Sequence, residues 1–294
     1  MKLVVFSDMH AARLGAVVDD QILDLHAARP LIPEDMMSFL DRGMPVWESA
    51  CEVIARVGDE EFSPYTLVDR EKVRLHAPIP KPSKVIAVGL NYKDHCREQG
   101  VDPPPHPILF AKFPNAVAGP GDVIKWWPAL TSQVDYEAEL AFVVGKQAYR
   151  VSPEEAVDYV FGYTCANDVS ARDLQFGDTQ WVRGKSLDTF CPLGPVLVTA
   201  DEIADPQNLA IRAILNGDVM QDSNTAEMIF SVADLLSFIS HAMTLNPGDV
   251  VLTGTPPGVG VFRDPQRFLR NGDEITIEIE GIGRLTNRCA EQWG

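Results

Sequence analysis

The sequence predicts an α+β fold: a mixed β-sheet, rolled or sandwiched, with a small α+β domain in front of it. Three observations lead there. Apolar residues alternate in short strand-like segments along most of the chain. Helical spacing appears only between those segments. One dense proline cluster, Ala77-Pro78-Ile79-Pro80-Lys81-Pro82-Ser83, interrupts the pattern early. The cluster reads as a linker at 77–83, which leaves residues 1–76 as a small N-terminal accessory domain and residues 84–294 as the main domain.

Taken in order, Leu3 to Phe6, Leu14 to Val18 and Ile22 to Leu25 read as strands, and residues near 34–57 as helical. After Lys84, Val85 to Val88, Tyr136 to Val144 and Phe161 to Ala166 read as strands. Ser152-Pro153-Glu154-Glu155 has a cap residue, proline at the first helical position and Glu at the third. Asn216-Gly217-Asp218 sits between two apolar alternations and predicts a tight hairpin turn. Val232, Leu235, Leu236, Ile239 and Met243 keep helical spacing, and Asn246-Pro247-Gly248 stops that helix. Ile275, Ile277 and Ile279 alternate with polar residues, as a half-buried strand requires.

Composition narrows the function. A chain of 294 residues, 46% of them hydrophobic, buries a sizeable core without covalent staples and is not disordered. A formal net charge of -17 repels phosphate backbones and anionic membranes, so neither nucleic acid nor a lipid surface is an expected partner. An acidic ligand would need a local reversal of sign, from a bound cation and a few Lys or Arg. The five cysteines are odd in number and show no CxxC pair, which argues against a zinc knuckle or a disulfide framework and for a reducing cytosol. The apolar start is broken by Asp8, His10 and Arg13, too early for a signal peptide, and no later stretch approaches a membrane span. A cytoplasmic setting is therefore expected.

The strongest chemical signal is Asp135-Tyr136-Glu137-Ala138-Glu139. Strand alternation puts Glu137 and Glu139 on one face, with Tyr136, Ala138, Leu140 and Phe142 on the other. A solvated strand face would explain an isolated Glu-x-Glu pair. The continuation Leu140-Ala141-Phe142-Val143-Val144 is too apolar for that, and two carboxylates in such a strand need a counter-cation. Asp168, where the strand 161–166 gives way to a turn, reads alone as a helix cap. With the Glu pair it completes an all-oxygen site suited to Mg²⁺ or Mn²⁺ rather than Zn²⁺, with Ca²⁺ able to stand in within a crystal.

Between Gly89 and Gly100, His95 and Glu98 stand at i and i+3. On a helix they form either a surface ion pair or an imidazole whose tautomer and basicity a carboxylate sets. Gly184-Lys185-Ser186 ends like a phosphate-binding loop, but Thr179 stands where that motif needs glycine, which leaves Lys185 free to face the metal site. Phe6-Ser7-Asp8-Met9-His10 resembles a metallophosphoesterase opening, but no His follows Asn or Gly anywhere in the chain. Thr253-Gly254-Thr255-Pro256-Pro257-Gly258-Val259-Gly260 is either a rigid turn or a backbone cradle for a carboxylate.

Five motifs in this order resemble the fumarylacetoacetate hydrolase family from about Lys84 to the C-terminus. They are Gly89-Leu90-Asn91-Tyr92 with His95, the Asp135–Glu139 run, Asn167 to Gln175, Arg183 to Pro195, and Leu252 to Gly260. The resemblance implies that family's mixed-sheet fold, with 84–294 as the catalytic metal-binding domain. It implies metal ligation by Glu137, Glu139 and Asp168, and a water-activating pair of His95 and Glu98 on a mobile segment. It sets Lys185 and Gln175 against substrate oxygens and Thr255 in the substrate loop. A small 2-oxo acid is the implied substrate and a homodimer the implied assembly. The namesake hydrolase has a further Asp ligand shortly before its catalytic His; here Ala87-Val88-Gly89-Leu90 offers none. That favours the acylpyruvase and oxaloacetate decarboxylase branch. The expected reaction is metal-dependent C–C cleavage of an acylpyruvate-type acid to pyruvate. Oxaloacetate decarboxylation and isomerisation of a 2-oxo diacid share its enolate. A catalytically inactive organic-acid-binding protein is a further alternative, against which the intact His95, Glu98 and Lys185 argue.

Overall fold

The computed structural model describes residues 1–8, 11–59, 62–63 and 65–292. Its centre is the strand Ala138–Val144, in which every residue is buried. Both edges of this strand are paired. Val160–Asn167 runs antiparallel on one side, with Ala138 opposite Asn167, and Val250–Leu252 antiparallel on the other. Both faces are covered as well, so the strand reads as a near-continuous apolar run instead of an alternation. The expected strand from Tyr136 is shorter than predicted: Val134–Asp135 pairs separately with Ser170–Ala171, and Tyr136 and Glu137 lie between the two ladders.

A 12-stranded sheet spreads from this centre. Its main path runs from Leu67–Asp69 through Gln21–Asp24, Arg13–Val18, Lys2–Ser7, Cys191–Thr199, Val160–Asn167, Ala138–Val144, Val250–Leu252 and Val85–Gly89 to Ile108–Lys112, and off it Arg74–His76 pairs with Lys2–Ser7 and Val117–Ala118 with Cys191–Thr199. Val85–Gly89 pairs parallel to Val250–Leu252, and most other pairs are antiparallel, so the sheet is mixed. A 5-stranded sheet packs on its central strands, in the order Asp218–Asn224, Ala210–Leu215, Glu274–Ile279, Gly283–Glu291, Val123–Trp126. Ile275, Ile277 and Ile279 supply its buried side. Its hairpin turns at Asn216 and Gly217, both at positive φ, as a two-residue turn with primed geometry needs.

The helices depart from the sequence pattern at their ends. The helical stretch near 34–57 is two helices, Met36–Arg42 and Met44–Ala55, divided at Gly43, whose φ of 65° no helix accommodates. Asp35 caps the first through the Ser38 N–H. The predicted helix at 152–155 is one turn, Pro153–Ala156, and the Ser152 hydroxyl bonds Glu155 instead of a backbone N–H. Val232–Ala242 carries a full capping box between Ser231 and Asp234, and it ends before Met243, which is half-exposed. Among the described residues no helix is long and apolar enough to cross a membrane. Met9 and His10 of the metallophosphoesterase-like opening lie outside the described residues.

The first segment of the chain enters the large sheet through one strand. Lys2–Ser7 pairs with Cys191–Thr199, the Thr199 N–H donates to the Met1 carbonyl at 2.9 Å, and Leu3 and Phe6 are fully buried. Deleting residues 1–76 would expose the edge of Cys191–Thr199 and the apolar surface beneath. The shortened chain is expected to aggregate, or to melt well below the full chain, in size-exclusion and thermal-unfolding measurements. A soluble 77–294 fragment with an unchanged midpoint would show that the pairing contributes little.

Candidate active site

One end of the central strands collects the chemistry. Val85–Gly89, Val160–Asn167 and Val250–Leu252 all finish there and Ala138–Val144 begins there, so the segments that follow or precede them converge. They bring His95, Glu137, Glu139, Asp168 and Thr255 to one place. The short helices Arg172–Gly177 and Val182–Lys185 add Arg172, Gln175 and Lys185.

Glu137, Glu139 and Asp168 are buried, and one carboxylate oxygen from each lies within 4.8 Å of the others. Three carboxylates so close are stable only with cations or protons among them. Lys185 Nζ contacts Glu137 Oε2 at 3.0 Å and Asp168 Oδ2 at 2.7 Å, and stands 5.1 Å from the centre of the Phe110 ring. Arg172 donates to Asp135 Oδ2 at 2.9 Å, to Glu137 Oε1 at 2.7 Å and to Gln175 Oε1 at 2.9 Å. Lys112 donates to Asp168 Oδ1 at 2.6 Å and to the Lys185 carbonyl. Among the described residues Glu139 has no cationic partner within bonding distance; the Gly254 N–H donates to it at 2.7 Å.

The two glutamates titrate apart as a result. Burial opposes charge on Glu137, but Lys185 and Arg172 outweigh it and hold the carboxyl down at about 2. Burial raises Glu139 well above the ordinary carboxylate range, and the charges of Asp168 and Glu137 push it further. Burial also acts against the Lys185 ammonium, and Asp168 and Glu137 raise it regardless. An all-oxygen donor set with one reluctant carboxylate fits a hard divalent cation, which would replace the proton on Glu139.

His95 and Glu98 lie side by side. His95 Nδ1 is 2.8 Å from Glu98 Oε2, and the other Glu98 oxygen accepts from the Gly258 N–H at 2.8 Å. Both residues sit on the helix Lys93–Gln99, and the His95 ring is almost fully buried, so a surface ion pair does not describe them. His95, Gln175, Lys185 and Thr255 line one cavity of about 100 Å³ with Arg172 and Glu137. The Thr255 hydroxyl donates to the Ala138 carbonyl at 3.0 Å and accepts from Gln221 at 2.8 Å, so its hydrogen is engaged in holding the loop. A larger surface groove of about 1470 Å³ lies elsewhere, where Lys72 pairs with Asp69 and Arg288 with Glu274.

Sequence reasoning assigned no role to several residues that build this site. Asp135 and Arg172 lay inside quoted motifs. Asp135 is a fully buried carboxylate that accepts from Arg172 and from the Gly260 and Val261 N–H groups at 2.7 and 3.0 Å, tying the 253–261 loop to the metal-site strand. Arg172 Nη2 is buried with no partner, on the wall of the cavity. Lys112 ends the apolar run Ile108–Ala111, and a lysine there was the available signal. Asn91 bonds the Thr253 carbonyl and both polar backbone atoms of Phe230, which holds the His95 segment to the same loop. Gln221 gave no signal at all.

The opposite shifts set the expected response to metal and pH. The raised Glu139 makes the fold bind a proton that the unfolded chain has released, so apo stability from this group falls as pH rises above the ordinary glutamate value of 4.5. Glu137 contributes stability that is full above 4.5 and lost as pH falls toward about 2. Mg²⁺ or Mn²⁺ should therefore bind more tightly as pH rises toward the raised folded-state value of Glu139, release a proton, and raise the thermal midpoint. Calorimetry in buffers of different ionisation enthalpy measures that proton. Glu139→Gln should bind the ion more weakly and release none; unchanged affinity in that variant would remove Glu139 from the ligand set.

Comparison with known proteins finds relatives over nearly the whole chain. The family description "Fumarylacetoacetate (FAA) hydrolase C-terminal" matches residues 84–290. A Xenopus laevis protein named oxaloacetate tautomerase, mitochondrial, is 48% identical over 293 residues, covering 98% of this chain and 89% of its own. The structure of a fumarylacetoacetate hydrolase from Exiguobacterium antarcticum superposes with a TM-score of 0.86 at 37% identity, over 99% of this chain and 100% of that one. A maleylpyruvate hydrolase from Sphingobium sp. SYK-6, solved with manganese(II) and pyruvate, gives 0.80 at 30% identity over the whole of both chains. The cytoplasmic expectation is corrected by the first of these names, which is mitochondrial. Free cysteines separate reducing from oxidising surroundings and do not distinguish one reducing compartment from another. The breadth of these matches, over the main domain and then over nearly the whole chain, shows that the protein belongs to the fumarylacetoacetate hydrolase family of enzymes.

Proposed function

We propose that the protein interconverts the enol and keto forms of a small 2-oxo diacid of the oxaloacetate type, with Mg²⁺ or Mn²⁺ held by Glu137, Glu139 and Asp168. One observation carries this: a single small cavity joins two buried cations, Lys185 and Arg172, to the imidazole of His95. The name of the Xenopus laevis relative supports it. When bound, the divalent ion would supply Lewis acidity where negative charge develops on the 2-oxo oxygen.

The side chains supply the rest. Tautomerisation removes a proton from the enol oxygen and places one on the adjacent carbon, through an enolate. The Lys185 ammonium and the Arg172 guanidinium stabilise that enolate in a water-poor cavity, where their fields are strong. Glu98 accepts from Nδ1–H of His95, which leaves the Nε2 lone pair to take the enol proton and return it to carbon. Gln175 gives its amide oxygen to Arg172 and keeps its NH₂ for a substrate oxygen.

Hydrolysis of an acylpyruvate to pyruvate is the second reading. The His95–Glu98 pair is equally suited to deprotonating water, and the Sphingobium neighbour is named for such a cleavage. The sequence-based order, with cleavage first, is reversed here because the nearly full-length 48% relative is named for tautomerisation.

Following enol-oxaloacetate by absorbance, with pyruvate release in parallel, tests the choice. The enol signal is expected to decay faster with enzyme and Mg²⁺ while pyruvate does not accumulate. Pyruvate formed in step with enol loss would establish cleavage instead. His95→Ala should lower enol turnover by about 10²- to 10⁴-fold, the usual weight of a general base. Lys185→Met, with the ion present, should lower kcat far more than it lowers the thermal midpoint. A variant that turns over normally would remove Lys185 from the chemistry.

A further inference from the structure

The hydrogen bonds around His95 carry an assignment for its neighbour Gln99, and it rests on the enol–keto reading above. One Glu98 oxygen accepts from the Gly258 N–H, and the other lies 2.8 Å from His95 Nδ1. An ionised carboxylate has no hydrogen to give, so Nδ1 carries the proton and the neutral ring has its lone pair on Nε2. Gln99 Nε2 lies 2.7 Å from that nitrogen. An amide NH₂ can only donate, so this contact is a hydrogen bond from Gln99 into the lone pair of the base. Gln99 follows His95 by four residues on the helix Lys93–Gln99, which puts both on one face, and it lines the same cavity as Lys185.

We propose that Gln99 is a specificity-determining residue: its amide holds nucleophilic water off His95 and biases the site toward proton transfer and away from hydrolysis. A neutral imidazole has one lone pair to offer. Hydrolysis needs a water whose O–H points at that lone pair while its oxygen faces the distal carbonyl. The water proton passes to Nε2, and the oxygen bonds to the carbonyl carbon. The C–C bond then breaks, its electron pair stays on the pyruvate enolate, and that carbon takes the proton back from the imidazolium. Gln99 occupies the place such a water needs. Tautomerisation has no third body. The enol O–H of a substrate held by Lys185 and Arg172 displaces the amide, and the same proton goes from oxygen to Nε2 to carbon. A water with no other anchor has no comparable means of displacing it.

Gln99→Leu keeps most of the volume and removes the donor. In the Mg²⁺-loaded enzyme, enol-oxaloacetate tautomerisation and acetylpyruvate hydrolysis are measured side by side. The ratio of hydrolysis to tautomerisation is expected to rise by roughly tenfold, the weight of one neutral hydrogen bond. A ratio that stays or falls overturns the proposal. If the leucine variant melts early, Gln99→Met gives the same comparison. The ¹⁵N resonances of His95 provide a reading independent of turnover: Nε2 should be the unprotonated nitrogen in the native protein and should shift in the variant. A proton on Nε2 of the neutral ring overturns the assignment. Absence of enol turnover in the native enzyme would reject the proposed function, while the nitrogen resonances and any hydrolysis gained by the variant would still test Gln99.

Discussion

Repulsion among three buried carboxylates is the constraint around which the rest of the site is arranged. Glu137, Glu139 and Asp168 cannot all carry charge in a dry interior without compensation. Two of them have it from the protein: Lys185 and Arg172 serve Glu137, and Lys185 and Lys112 serve Asp168. Glu139 is left with a backbone N–H and two charged neighbours. Among the described residues one acid is thus left without a cationic partner, and that deficiency would give the site an affinity for a cation. A fourth buried carboxylate, Asp135, shares Arg172 but faces the backbone of the 253–261 loop, where it has a fixing role.

Hydrogen bonds tie the parts of the site into one body. The loop touches the glutamate pair through Gly254, the Glu98 side chain through Gly258, and Asp135 through Gly260 and Val261. Gln221, from the smaller sheet, joins the loop to the metal-site strand through Thr255, the Pro256 carbonyl and the Ala138 N–H. The base and the glutamate pair are therefore linked through the backbone N–H groups of this loop and through the Thr255 and Gln221 side chains.

Much of this was legible in the sequence, for specific reasons. Glu137 and Glu139 were visible because carboxylates in the apolar run Leu140–Val144 contradict their surroundings. The strands at 3–6, 14–18 and 275–279 were visible because alternation needs only local sequence. The helical break at Gly43 is local and lies in that glycine's positive φ, while the short strand start at Ala138 was missed because it depends on a partner distant in sequence, Asn167 opposite Ala138. Lys112 and Gln221 were missed for the same reason. Each acts on residues far along the chain, and nothing in a strand's own pattern says whether its polar residue meets solvent or a buried partner. The cysteines misled on compartment because their chemistry reports redox state alone.

The contacts that complete the site span most of the main domain: Glu98 reaches Gly258, Asn91 reaches Thr253, and Lys112 reaches Asp168. Such long closures come late when a chain folds, because the entropy of each loop must be lost before the contact forms. The three clustered carboxylates therefore assemble after the sheet that carries them, and an ion would have little to grip in the folding transition state. Held there, it would stabilise the finished structure, slow the escape from the native state and leave the rate of arrival nearly untouched. Its loss would thus shorten the working life of the folded chain without impeding its birth.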